Sequence, residues 1–222
     1  MTVFHGSENI IYTPTYGLGN AANDFGRGFY CTESSDIAKE WACKKGRDGF
    51  LNQYSLDTGN LSICNLNDGS FSILHWLALL THYRGYWQKK SIAEEAKNFL
   101  QEKYYFDIEP YDLIIAYRAD DSYFSFAQDF IMGTISMQKL SEAMRLGKLG
   151  EQIVLKSRKA FEHIKYESNE AVPADIYYRK KAQRDLTARR EYIDSRKSQS
   201  ILKEIYILDI MRGAVSEDEL RI

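Results

Sequence analysis

The chain has 222 residues, 44% of them hydrophobic and 27% charged, which is enough length and apolar content for one sizeable core. Against 31 Asp and Glu stand 29 Lys and Arg, a formal charge of -2, so no global pull toward polyanions or membranes exists and any nucleic-acid contact has to come from a local patch. The cysteines, Cys31, Cys43 and Cys64, are odd in number and lack paired metal-ligand spacing, which argues against a disulfide scaffold and against a zinc site.

The opening residues carry no basic segment followed by an apolar run, and no apolar stretch approaches the ~20 residues of a membrane span. A reducing cytoplasm is therefore the expected compartment, with no membrane partner.

In chain order, Val3-Phe4-His5 alternates as a short strand, and a loop over 9–23 rich in Gly, Asn, Thr and Tyr follows it. Residues 28–32 form a second strand leaving a glycine turn. Ser34-Ser35-Asp36 is a capping cluster, and Ile37, Ala38, Trp41 and Ala42 continue at helical spacing until Gly46. Residues 50–56 alternate as a third strand, and 70–83 and 91–104 carry helical apolar spacing.

The run Asp112-Leu113-Ile114-Ile115-Ala116-Tyr117 is that of a central strand, and Asp120-Asp121-Ser122 caps a helix beginning near Tyr123. A further helix is expected over 136–146 and a strand over 152–155. From 173 to 200 the composition shifts to a long basic helix, and 204–210 reads as a final strand or strand-like tail. In domain terms, this gives a unit over 1–170 with a helical insertion at about 65–110, and a basic helical extension over 171–222 packed on it.

Two motifs near the N-terminus carry chemistry: His5-Gly6-Ser7 on the first strand, and Gly26-Arg27-Gly28-Phe29-Tyr30 in the following glycine turn and strand. A third candidate is Glu151-Gln152-Ile153-Val154-Leu155, a late strand behind a glycine-bounded loop. Together these resemble the ADP-ribosyltransferase superfamily, in its His-Tyr-Glu branch of diphtheria-toxin-like and poly(ADP-ribose) polymerase-like members. The resemblance covers the first fifth of the chain and the Glu151 strand.

That resemblance implies an α+β fold of split, mainly antiparallel sheets around an NAD cleft, with added helices. It implies that His5 hydrogen-bonds the adenosine ribose, that the Gly6 backbone contacts the nicotinamide carboxamide, and that Ser7 completes the motif. Tyr30 and Trp41 would then clamp the nicotinamide ring, Gly28 would shape the turn, and Arg27 would meet a pyrophosphate oxygen. The family's carboxamide-binding Ser falls on Ala38.

NAD glycosidic cleavage passes through an oxocarbenium-like state, so the site needs a polar or anionic group beside the developing cation. Glu151 supplies a carboxylate if the motif aligns on its apolar tail; Gln152 supplies only an orienting amide. Adjacent strand residues point to opposite faces, so one of the two faces the cleft. With Gln152 inward, Asp120 or Asp121 becomes the first candidate for the missing carboxylate.

The expected activity is NAD-dependent transfer of ADP-ribose to a protein or nucleic-acid acceptor, in a setting that the resemblance makes that of a bacterial toxin with an antitoxin partner. The alternatives are an NAD or nucleotide sensor without transfer, and a nucleic-acid- or partner-binding module using the basic helix. Asp185, Glu191 and Asp194 interleave with that helix's cations, the pattern of a solvated face; a phosphate-contacting surface is the other reading.

Overall fold

A computed structural model describes residues 1–85, 91–119, 121–146, 150–197 and 204–220. Its elements are β1 (Thr2–Ser7), β2 (Phe29–Cys31), α1 (Ser35–Ala42), β3 (Gly49–Leu56), β4 (Ile63–Asn65), α2 (Ile73–Tyr83), α3 (Ile92–Tyr104) and β5 (Leu113–Tyr117). Then follow α4 (Asp121–Ile131), α5 (Met137–Ala143), β6 (Glu151–Leu155), α6 (Arg158–Glu162), β7 (Ile164–Val172), α7 (Ala174–Lys197) and α8 (Ile207–Met211). The chain is α+β.

The strands form two sheets, ordered β1-β3-β7 and β2-β6-β5-β4. The first is wholly antiparallel; the second is antiparallel apart from the parallel pair of β4 and β5. A reciprocal backbone bridge between Phe4 and Thr32 links β1 to the end of β2, with N···O distances of 2.8 and 3.0 Å.

Strand alternation sorts the side chains into separate cores. Leu113, Ile153 and Leu155 point toward the first sheet and pack with Val3, Tyr54 and Leu56. Ile114, Ala116 and Val154 point the other way, into a layer built by α2, α3, α4, α5 and α8. A third, smaller core joins α1 to the opposite side of the first sheet and to the start of α7, through Ala38, Ala42, Leu51, Val172 and Ala174.

Local sequence explains several boundaries. The Ser34 side chain accepts from the Ile37 N–H and starts α1, and Ser136 does the same for α5 through Lys139. One expectation is corrected. Residues 204–210 are not a strand: Ile207–Met211 is a short helix, because Ile207 and Ile210 are buried one turn apart and Asp209 caps back to the Tyr206 N–H at 3.0 Å. The basic helix keeps most of its cations exposed, as a solvated face does. Ala174, Ala188 and Tyr192 are buried along it, and its N-terminal half lies beside the cleft described next. The expected helix end at 198–200 and the cap residue Asp120 lie outside the described residues, and of Asp121 only the backbone, at the start of α4, is described.

Candidate functional site

A cleft of about 800 Å³ opens where β1, β2, β6 and the residue after β5 meet α1 and α7. Five residues singled out in the sequence line it: His5, Gly6, Tyr30, Trp41 and Gln152. Four others from the same motifs do not. Ser7 donates to the Asn9 carbonyl at 2.7 Å and accepts from Asn52, tying the end of β1 to β3. Arg27 and Gly28 flank a separate depression of about 460 Å³ on the far side of the Gly26 turn, where Arg27 donates to the Gly17 carbonyl at 3.1 Å. Glu151 is exposed and accepts from the Asn67 amide at 2.7 Å.

Strand register explains the split between Glu151 and Gln152. Tyr30 pairs with Val154, and Ala116 pairs with Gln152, so Tyr30, Val154, Ala116 and Gln152 share one face of the second sheet. Gln152 is thereby turned into the cleft end of that face and is 3% exposed. Its Nε2 donates to Asp24 Oδ2 at 3.0 Å and to the Tyr117 carbonyl at 3.1 Å. Both partners are acceptors, which fixes the amide orientation and leaves Oε1 as the group able to accept from a ligand.

Asp24, which belongs to no motif, is the carboxylate that reaches Gln152. Its Oδ1 accepts from Arg84 Nε at 2.7 Å and Nη2 at 2.6 Å; its Oδ2 accepts from the Ala119 N–H and from Gln152, both at 3.0 Å. With two donors on each oxygen and 4% exposure, Asp24 is a structural anchor that polarises the Gln152 amide and has no lone pair left for a substrate proton. Arg84 also donates to the Ala119 carbonyl at 2.7 Å, closing the network.

His5 Nδ1 lies 2.7 Å from the Tyr30 carbonyl and the ring rests 4.4 Å from the Phe29 ring centroid. Burial lowers its pKa from the ordinary 6.5, against the opposing pull of that carbonyl. The neutral ring therefore donates from Nδ1 and keeps Nε2 as an acceptor, suited to a hydroxyl. The Tyr30 hydroxyl donates to the Gly26 carbonyl at 2.7 Å and accepts from the Phe25 N–H at 3.1 Å, and burial pushes its pKa far up. Tyr30 thus presents its ring while its hydroxyl pins the preceding turn.

Two of the motif glycines have a packing reason beside any ligand role. A Cβ on Gly6 would stand 1.8 Å from the Ala38 carbonyl oxygen and 2.6 Å from the Ala42 nitrogen, so α1 lies on β1 only because Gly6 has no side chain. A Cβ on Gly28 would stand 2.6 Å from Val154 Cγ1 and 2.8 Å from the Leu155 oxygen.

The second aromatic wall differs from a simple sandwich. The Arg118 guanidinium lies 3.9 Å from the Trp41 ring centroid and takes one face of the indole. The Trp41 Nε1 is buried with no hydrogen-bond partner among the described residues.

The remaining wall is α7, with Tyr178, Lys181, Ala182 and Asp185 at i, i+3, i+4 and i+7 spacing. The helix is pinned along its length. The Ala174 N–H donates to Asp48 at 2.7 Å, and Arg184 forms a two-pronged pair with Glu40 of α1 at 2.7 and 2.8 Å. Near its end the Tyr192 hydroxyl donates to Asp129 at 2.7 Å. The helical spacing of 178, 181, 182 and 185 was a usable signal for this wall, hidden in sequence by cations on every side of the helix.

No curated protein and no solved structure matches the chain. A family model matches residues 1–166, from β1 into β7, and stops short of α7. With three quarters of its length inside that match, the chain belongs to the family described as Protein of unknown function (DUF3990).

Proposed function

We propose that the cleft binds NAD and supports transfer of its ADP-ribose to a protein or nucleic-acid acceptor, on a fold of the ADP-ribosyltransferase type. One observation carries this reading: His5, Gly6, Tyr30, Trp41 and Gln152, drawn from motifs spread over most of the chain, line a single cleft. Its volume lies within the roughly 300–1,000 Å³ of small-molecule sites. The residues present fit such a ligand, with aromatic rings for a flat heterocycle, two fixed acceptors for ribose hydroxyls, and a cation-bearing wall, α7, for phosphates.

In this reading the neutral His5 accepts from one ribose hydroxyl through Nε2, and Gln152 Oε1 accepts from another. Asp24, bonded to the Gln152 N–H, draws negative character onto Oε1, which places a partial negative charge beside the developing cation. Tyr30 holds the leaving ring in place. In this reading the polarised amide stands where the ADP-ribosyltransferase superfamily has a Glu carboxylate.

That amide also favours a second reading, an NAD or nucleotide sensor that binds without cleaving. Labelled NAD incubated with the protein and cell lysate, with and without nuclease or protease, separates the two. Transfer predicts label in macromolecules and nicotinamide release, falling about 100-fold in Gln152→Ala and staying within about threefold in the solvent-facing Glu151→Ala. NAD binding with no nicotinamide release supports the sensor; absence of NAD binding overturns both.

A further inference from the structure

The ionic groups around the cleft are mostly paired with one another. Arg84 is bound to Asp24, Arg184 to Glu40, and Asp185 to Arg189 Nε at 2.9 Å. Arg118 is stacked on Trp41. Lys181 differs: it is half-buried, lines the cleft, and has no hydrogen bond or ion pair among the described residues. An ammonium partly withdrawn from water without a counter-charge is costly unless an anion completes it.

We infer that Lys181 contacts the diphosphate of the cleft's ligand, which makes α7 part of the binding site and a nucleoside diphosphate the recognised unit. The inference rests on the nucleotide reading above and supplies what the motif residues lack. His5, Tyr30, Trp41 and Gln152 offer a ring platform and hydroxyl acceptors, but none carries a positive charge at neutral pH. Arg27, the residue expected to meet the pyrophosphate, faces the other depression.

A lysine suits the task because its compact charge and three donors satisfy phosphate oxygens from several directions. Its placement is prearranged, because the contacts to Asp48, Glu40 and Asp129 fix α7 on either side of it. The adjacent Lys180 serves as an internal contrast. It points away from the cleft, 4.0 Å from Asp36 and 4.7 Å from the Tyr177 ring centroid.

Calorimetric titration of the full-length protein with NAD, ADP-ribose, ADP and nicotinamide tests this. Lys181→Ala should weaken NAD, ADP-ribose and ADP by about 10- to 100-fold, the usual size of one charge-assisted contact, and flatten the salt dependence of binding. Nicotinamide binding should not change. Lys181→Arg should retain most of the affinity, and Lys180→Ala should stay within about twofold of wild type. Alanine is well tolerated on a helix, so an unchanged melting temperature shows that the loss is not unfolding. Wild-type affinity for ADP in Lys181→Ala, or an equal loss in Lys180→Ala, overturns the assignment. ADP binding that depends on Lys181 without any NAD binding keeps the assignment and overturns the NAD reading. No binding of any diphosphate by the wild type overturns both.

Discussion

Single side chains decide what the cleft can do, and two of them carry opposite lessons. The motif strand offered Glu151 and Gln152 with nothing in the sequence to choose between them. The choice comes from pairing with β5, which puts Ala116 opposite Gln152 and Tyr117 opposite Glu151, and pairing is a non-local property. His5 was visible from its motif, yet its protonation behaviour depends on burial that no motif encodes. The unfolded chain protonates His5 near 6.5, whereas the folded chain does so only at lower pH. Between those values the unfolded state binds more protons, so this residue's contribution to stability falls as pH falls through that window and is fully lost below the folded value. Melting temperatures measured from pH 7.5 down to pH 5 should therefore drop more steeply for the wild type than for His5→Gln. Parallel profiles would mean that His5 is exposed enough to titrate normally.

At the scale of elements, the sequence signals worked where one face of an element is buried. The strands β1, β2, β3, β5 and β6 and the helices from α1 to α5 and α7 all have expectations that overlap them. β7 escaped because seven of its nine residues are not buried, leaving Ile164 and Val172 at its ends with no alternation between them; it is an edge strand whose register comes from β3. β4 is only three residues long and pairs in parallel with a strand nearly fifty residues later. The helix α7 was visible in extent, but its attachment was not, since its links to α1 are a few small apolar contacts and the Arg184–Glu40 pair, set among many charges. Arg184 and Glu40 have side-chain exposures of 13% and 8%, so removing one partner leaves the other charge buried. Glu40→Ala should cost about 3–5 kcal/mol by chemical denaturation, while Glu40→Leu combined with Arg184→Met should recover most of it. Additive losses in the double variant would show that the pair does not act as a unit.

Across the whole molecule, the three cysteines report on integrity. Cys31 lies between the sheets, Cys64 against the helical layer, and Cys43 in the core that joins α1 to α7. All are free and buried, and burial raises each thiol pKa, that of Cys64 to about 11. A thiol reagent at pH 8 should find almost no reactive sulfur in the native protein and all three after unfolding. Fast labelling of one site would locate a region that opens on its own. No described helix is long and apolar enough to cross a membrane.

The wall formed by α7 has a bearing on inheritance. The ring platform and hydroxyl acceptors lie in the stretch common to the family, residues 1–166, whereas Lys181 is carried on a helix that begins after it. On the proposed reading, what the cleft does to a bound molecule and which molecule it admits are written on separable lengths of chain. Family members that keep the first length but diverge in the second are expected to differ in the anionic group they select, and exchanging that helix between two of them should exchange the preference.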